Sequence, residues 1–78
     1  MNSLDQMKSG DCAKITALDE SNPNMVRLAG MGLVPGHEVR LIRRAPLGDP
    51  IQVRILHHEL CLRKEDARSI FVESISPS

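Results

Sequence analysis

Residues 27–63 read RLAGMGLVPGHEVRLIRRAPLGDPIQVRILHHELCLR, and this stretch decides the fold. Six of its glycines and prolines lie between short apolar runs, at Gly32, Pro35, Gly36, Pro46, Gly48 and Pro50. Proline fixes one backbone angle and glycine adopts angles that other residues resist, so both residue types mark turns. The spacing predicts short strands joined by tight turns, with a chain reversal at Pro35–Gly36, as in a small barrel.

Two strands of this stretch are predicted at residues 38–44 and 51–55. Val39 and Leu41 alternate with polar residues, and Ile42 breaks the alternation, which indicates a bulge. Residues 51–55 alternate without interruption. The intervening residues 45–50 suit a hairpin loop.

A third strand is predicted to follow a turn formed by His57 and His58. Side chains alternate along a strand, so Leu60 and Leu62 are expected to face inward. The residues expected to face outward are Glu59, Cys61 and Arg63.

A helix is predicted before Gly32. Asn22 offers a side-chain oxygen that can cap the first amides, and Pro23 suits the first helical position. Gly32 is placed to end the helix in a left-handed conformation. The expected buried stripe consists of Met25, Leu28 and Ala29.

The remaining elements complete the predicted fold. A first strand is expected at residues 12–18, a helical turn at 64–69, and a last strand at Ile70 and Val72. Together they predict a mainly β protein, a small SH3-like five-stranded barrel with one short α-helix and a helical turn. The 78 residues are expected to form a single domain, 1–78.

Composition excludes several classes of partner. Ten Lys and Arg balance ten Asp and Glu, so the long-range attraction that nucleic acids require is missing. Phe71 is the only aromatic residue, which removes the stacking platforms that grip single-stranded nucleic acids and proline-rich peptides. We expect no nucleic acid partner and no direct membrane insertion.

No secretory signal is visible, so a cytoplasmic location with Cys12 and Cys61 as free thiols is expected.

Three short motifs in order resemble the FeoA family. They are Met31-Gly32-Leu33-x-Pro35-Gly36, the loop Ala45-Pro46-Leu47-Gly48-Asp49-Pro50, and Leu60-x-Leu62-Arg63-Lys64. The resemblance covers nearly the whole chain and departs from the family at Cys61, where members often carry Ser. It implies a cytosolic SH3-like protein of ferrous iron transport whose partner is FeoB, a membrane transporter with a cytosolic GTPase domain. A similar domain also ends some repressors of the DtxR type, behind a DNA-binding domain for which this chain has no room.

The sequence carries no motif for catalysis. Neither GxxxxGK[ST] nor GxSxG occurs, and Gly30-x-Gly32-x-x-x-Gly36 has the wrong spacing for a dinucleotide loop. We therefore predict that the protein is not an enzyme and needs no cofactor.

Metal binding is the alternative function, using His57, His58 and Cys61. On an extended strand, positions two residues apart lie about 6.6 Å from each other, so His57, Glu59 and Cys61 cannot converge on one ion without a bend. A solvated hairpin is the simpler interpretation, and we predict no physiological metal site.

The expected partner contacts lie on two apolar residues that periodicity leaves outside the core. Leu47 lies in the middle of the hairpin loop, beside Asp49, and Phe71 is out of phase with Ile70 and Val72. Each has a structural alternative, since Leu47 could plug one end of the barrel and Phe71 could cover the helix.

A group of arginines is predicted on two paired strands. Its members are Arg40, Arg43, Arg44 and Arg54. They are expected to form a solvated face, and docking to an acidic patch of a partner is the alternative.

Overall fold

The computed structural model describes residues 2–75. Its six strands are β1 (Asn2–Ser3), β2 (Cys12–Leu18), β3 (Glu38–Arg44), β4 (Ile51–Ile55), β5 (His58–Leu62) and β6 (Ile70–Ser74). They form one antiparallel sheet in the order β1–β6–β2–β3–β4–β5. The helices are α1 (Met25–Gly30), α2 (Lys64–Ala67) and a 3₁₀ helix (Leu4–Gln6). None of the helices in this part of the chain is long and apolar enough to cross a membrane.

Strands β3 and β4 confirm the pattern of residues 38–55. In β4, Ile51, Val53 and Ile55 are each 0% exposed, so the alternation marks a fully buried face. The pairing of β3 with β4 shifts between Leu41 and Arg43, which confirms the bulge at Ile42.

The turns at Gly32 and Gly36 have the backbone conformations that the sequence predicts. At the end of α1, Gly32 has a φ of 102° and donates its N–H to the carbonyl of Ala29. The Leu33 N–H donates to the carbonyl of Leu28, and these two bonds form the Schellman motif that ends many helices. Gly36 has a φ of 97°, and the His37 N–H bonds the carbonyl of Val34, as in a type II turn.

The start of α1 differs from the prediction by two residues. The helix begins at Met25, because Asn22 forms a turn of its own before it. The Asn22 side-chain oxygen accepts the N–H of Asn24 at 2.8 Å, and the Asn22 carbonyl accepts the N–H of Met25 at 3.0 Å. Asn22 and Pro23 therefore precede the helix instead of opening it. Met25 and Leu28 are buried as predicted, whereas Ala29 is only half-buried.

Two strand assignments also differ from the sequence prediction. The sheet has a sixth strand, β1, since Asn2 and Ser3 pair with Val72 and Phe71 of β6. His58 belongs to β5 and pairs with Ile55, so the turn consists of Leu56 and His57. Leu56 has a φ of 55° there. Neither residue of this turn is glycine, and for that reason the usual turn signature was missing.

Asp66 connects α2 to the turn that precedes α1. Asp66 is buried, 6% exposed, and its carboxylate accepts hydrogen bonds from the side-chain amides of Asn22 at 3.1 Å and Asn24 at 3.4 Å. Asn22 also donates to the hydroxyl of Ser69 at 3.0 Å. A buried carboxylate without partners would cost several kcal/mol, so these amides make its burial tolerable.

Candidate partner-binding site

The loop between β3 and β4, residues 45–50, presents Leu47 to solvent. The Gly48 N–H donates to the Ala45 carbonyl at 2.7 Å, and the Ala45 N–H donates to the Pro50 carbonyl at 3.0 Å. These bonds close the base of the loop, and Leu47 between them is 95% exposed. The alternative that Leu47 plugs the barrel is therefore wrong. The core at this end is already filled by Ile51 and Leu62, which pair across β4 and β5.

Asp49 attaches the loop to α2. Its Oδ1 accepts the backbone N–H of Lys64 at 3.0 Å, at the start of that helix. The carboxylate thereby satisfies one of the amides that a helix leaves free at its first turn. Asp49 thus holds the loop in position relative to α2.

Phe71 lies on another part of the sheet. It is half-buried on β6, where it pairs with Ser3 of β1 and Ala17 of β2. Along the sheet β6 is separated from β3 by β2. The structure therefore brings Leu47 and Asp49 together in one loop and places Phe71 elsewhere.

The predicted arginine face is confirmed for three of its members. Arg40 and Arg54 are exposed and lie opposite each other across β3 and β4, and the exposed Arg43 donates to the Gln52 side chain at 2.7 Å. Arg44 behaves differently: it is half-buried and donates to the backbone carbonyls of Asp5 and Met7. Arg44 therefore holds the N-terminal 3₁₀ helix against the end of β3.

The histidine and cysteine side chains named for the metal alternative do not converge. His58 and Cys61 are an odd number of positions apart on β5, so alternation places them on opposite faces. Within residues 2–75 no group of three or more His, Cys, Asp or Glu side chains could hold a metal ion.

Two exposed apolar residues were missed in the sequence. Val26 on α1 is 87% exposed, and Leu56 in the β4–β5 turn is 54% exposed. Val26 borders a groove of about 410 Å³ between α1 and the end of β2. Its exposure follows from helical periodicity, because Val26 is next to Met25 and off the buried stripe. Leu56 gave no such signal, since its position depends on the unrecognised turn.

The fold and this surface define a small SH3-like barrel that presents an apolar loop residue. A model of the FeoA domain family matches residues 2–74, and the chain belongs to that family. The FeoA family is involved in ferrous iron transport.

Relatives of known sequence or structure agree with this assignment. The chain is 37% identical over 73 residues to a fusion of Fe(2+) transport protein A with the Fe(2+) transporter FeoB from Porphyromonas gingivalis, covering 94% of this chain but 9% of that protein. Iron(II) transport protein A from Clostridium thermocellum has a TM-score of 0.89 at 39% identity, covering 95% of this chain and 46% of that one. FeoA from Stenotrophomonas maltophilia, an SH3 domain protein complexed with zinc, shares the fold with a TM-score of 0.83 at 23% identity, covering 94% and 91%.

Proposed function

We propose that this protein is a non-catalytic cytoplasmic accessory protein of ferrous iron transport. It docks to the cytosolic GTPase domain of a FeoB-like membrane transporter and modulates that transporter. The fusion relative supports the partner, because it carries a FeoA part and a FeoB part in one chain. Covalent linkage of two modules holds them at high effective concentration and suits domains that act together.

The docking element of the proposal is the loop that carries Leu47. The observation behind it is the 95% exposure of this leucine on a loop closed by two backbone hydrogen bonds. A loop already held in one conformation loses little entropy on binding. Burial of one leucine contributes about 1.5–3 kcal/mol, enough to change affinity at least about tenfold. Phe71 is the second residue proposed for contact, on a surface separate from Leu47 and Asp49.

Replacement of Leu47 by aspartate tests this docking element. Leu47→Asp is expected to keep the fold, because the side chain has almost no contacts to lose, and to weaken binding to the transporter's cytosolic domain at least about tenfold. Titration of that domain, together with Fe²⁺ uptake in cells, measures the effect. Circular dichroism and the thermal midpoint report the fold.

Val26→Asp is the matched control, since it places the same charge at another exposed apolar position. It is expected to bind like wild type. Normal binding by Leu47→Asp, with loss in Val26→Asp, would move the contact to the α1 groove. Normal binding by both variants would reject Leu47 as the contact and leave Phe71 as the next residue to test.

A further inference from the structure

The surface around Leu47 is basic, although the chain as a whole has a formal charge of zero. Two concave surfaces flank the loop. One, of about 500 Å³, is lined by Asp49, Arg63, Lys64, Glu65 and Arg68. The other, of about 350 Å³, is lined by Arg43, Arg44, Ala45, Pro46, Pro50, Gln52 and Cys61. Together they contain five basic and two acidic side chains, so positive charge is concentrated at this end of the barrel.

The topology explains why these charges meet. The register pairs Ile51 at the start of β4 with Arg44 at the end of β3 and with Leu62 at the end of β5. The end of β3, the hairpin loop and the beginning of α2 therefore lie at the same end of the sheet. Arg43 and Arg63, which are twenty positions apart in sequence, are thereby brought next to the same loop, since each lines a concave surface together with loop residues.

Several charges at this end already have partners within the chain. Arg44 is bound to backbone carbonyls, and Arg68 forms an ion pair with Asp5 at 3.5 Å. The Asp49 carboxylate accepts the Lys64 N–H. The Arg68–Asp5 contact is the only ion pair within residues 2–75. The side chains of Arg43, Arg63 and Lys64 therefore have no carboxylate partner in this part of the chain.

We propose that Arg43, Arg63 and Lys64 form a basic collar around Leu47, and that the partner's binding site is an apolar pocket with carboxylates on its rim. This inference rests on the proposed function and adds the chemistry of the partner surface. Leucine fills the pocket, while the collar orients the approach by charge complementarity. A polar rim around a buried apolar contact is the usual anatomy of a protein interface.

A folded protein fits this surface better than a lipid bilayer or a nucleic acid does. The loop offers one leucine and no aromatic side chain, whereas stable membrane attachment needs more apolar insertion or a second anchor. Three cations that lack a carboxylate partner within residues 2–75, on a chain of zero net charge, give weak attraction to phosphate backbones. A leucine on a loop that two backbone hydrogen bonds close is instead matched to a preformed pocket on a folded partner.

Charge reversal in the collar tests the inference. Arg43→Glu/Arg63→Glu leaves Leu47, Lys64 and the Asp49 anchor in place. At about 0.05 M KCl its dissociation constant for the transporter's cytosolic domain is expected to rise about tenfold or more. At about 0.5 M KCl the wild-type affinity should fall toward that of the variant, because salt screens the collar.

Arg40→Glu/Arg54→Glu is the matched control. It makes the same change in net charge at two exposed arginines that pair with each other across β3 and β4 and lie outside the loop. Its dissociation constant is expected to change less than about twofold. An equal loss in both double variants would mean a general charge effect and would overturn the collar. The neutral variant Arg43→Gln/Arg63→Gln should lose less affinity than Arg43→Glu/Arg63→Glu. The thermal midpoints of these two variants must match that of the wild type for the comparison to hold.

The outcomes separate this inference from the proposed function. Loss of binding in Leu47→Asp with unchanged binding in the collar variant keeps the docking loop and rejects the collar. No binding of wild type to the transporter domain rejects both. Sedimentation with vesicles of phosphatidylcholine and phosphatidylserine is expected to show no binding. Collar-dependent binding to these vesicles would replace the protein partner with a membrane surface.

Discussion

Leu41→Ala is expected to leave the protein largely unfolded at room temperature, whereas Leu47→Ala should unfold at the wild-type midpoint. Leu41 is 0% exposed on β3, between β2 and β4. Truncating a buried leucine to alanine costs about 2–5 kcal/mol, through lost burial and the cavity left behind. A domain of this size has about 3–5 kcal/mol of net stability, so the loss is comparable to the whole.

The comparison uses one substitution in two environments. Leu47 is 95% exposed, so its truncation removes few contacts and should change stability by less than about 0.5 kcal/mol. The chain has no Trp or Tyr, so unfolding by urea is best followed by far-ultraviolet circular dichroism. If Leu47→Ala lost as much stability as Leu41→Ala, the loop would be part of the core and its role in docking would have to be abandoned.

Gly32→Ala is expected to destabilise the protein by about 1–2 kcal/mol, because its positive φ disfavours a side chain. Gly32 has a φ of 102°, and an added Cβ would lie 3.0 Å from the Cδ1 of Leu56. Leu56 is partly exposed and can yield, so backbone strain dominates the cost. Thermal and urea unfolding measure the difference.

Two neighbouring glycines provide the controls. Gly30 lies in α1 without a positive φ and with open space around its Cβ position, so Gly30→Ala should stabilise the protein by up to about 1 kcal/mol. Gly36 has a φ of 97° and no atom within 4 Å of an added Cβ. Gly36→Ala therefore isolates backbone strain from the contact with Leu56. Equal stability of the Gly30 and Gly32 variants would contradict the Schellman ending of α1.

The features that the sequence predicted are those encoded by local signals. Alternation identified β3 and β4, including the bulge at Ile42, because a half-buried strand repeats every two residues. Gly32 and Gly36 were identified because a left-handed backbone favours glycine. The family assignment was also available, since its motifs coincide with these turns.

The features that were missed depend on distant partners. Nothing in Asn2 and Ser3 indicates a strand, which exists because β6 offers them an open edge. The sequence predicted an exposed Arg44 side chain like those of the neighbouring arginines. In the structure this side chain donates to the backbone carbonyls of Asp5 and Met7 near the N-terminus. Such contacts join segments far apart in the chain, where periodicity carries no information.

The candidate site also combines features that the sequence predicts with features that depend on distant residues. The loop at residues 45–50 and its apolar Leu47 were visible in the sequence, because prolines and glycine bracket the leucine. The outward position of Leu47 could not be predicted, because it follows from Ile51 and Leu62 filling the core at this end of the barrel. The attachment of Asp49 to the Lys64 N–H was not visible, since it required the position of α2.

The Asn22 to Asp66 hydrogen bond bears on the order of events during folding. Its partners are 44 residues apart: Asn22 follows β2 and Asp66 of α2 precedes β6, so both lie at the end of the β2–β6 pairing where Leu18 pairs with Ile70. Bringing such distant residues together costs chain entropy that is repaid only after the intervening strands have paired. We therefore expect the β3–β4–β5 meander, whose pairings are local, to form first, and the junction at Asp66 to close last. Weakening that junction should speed unfolding and leave the refolding rate nearly unchanged.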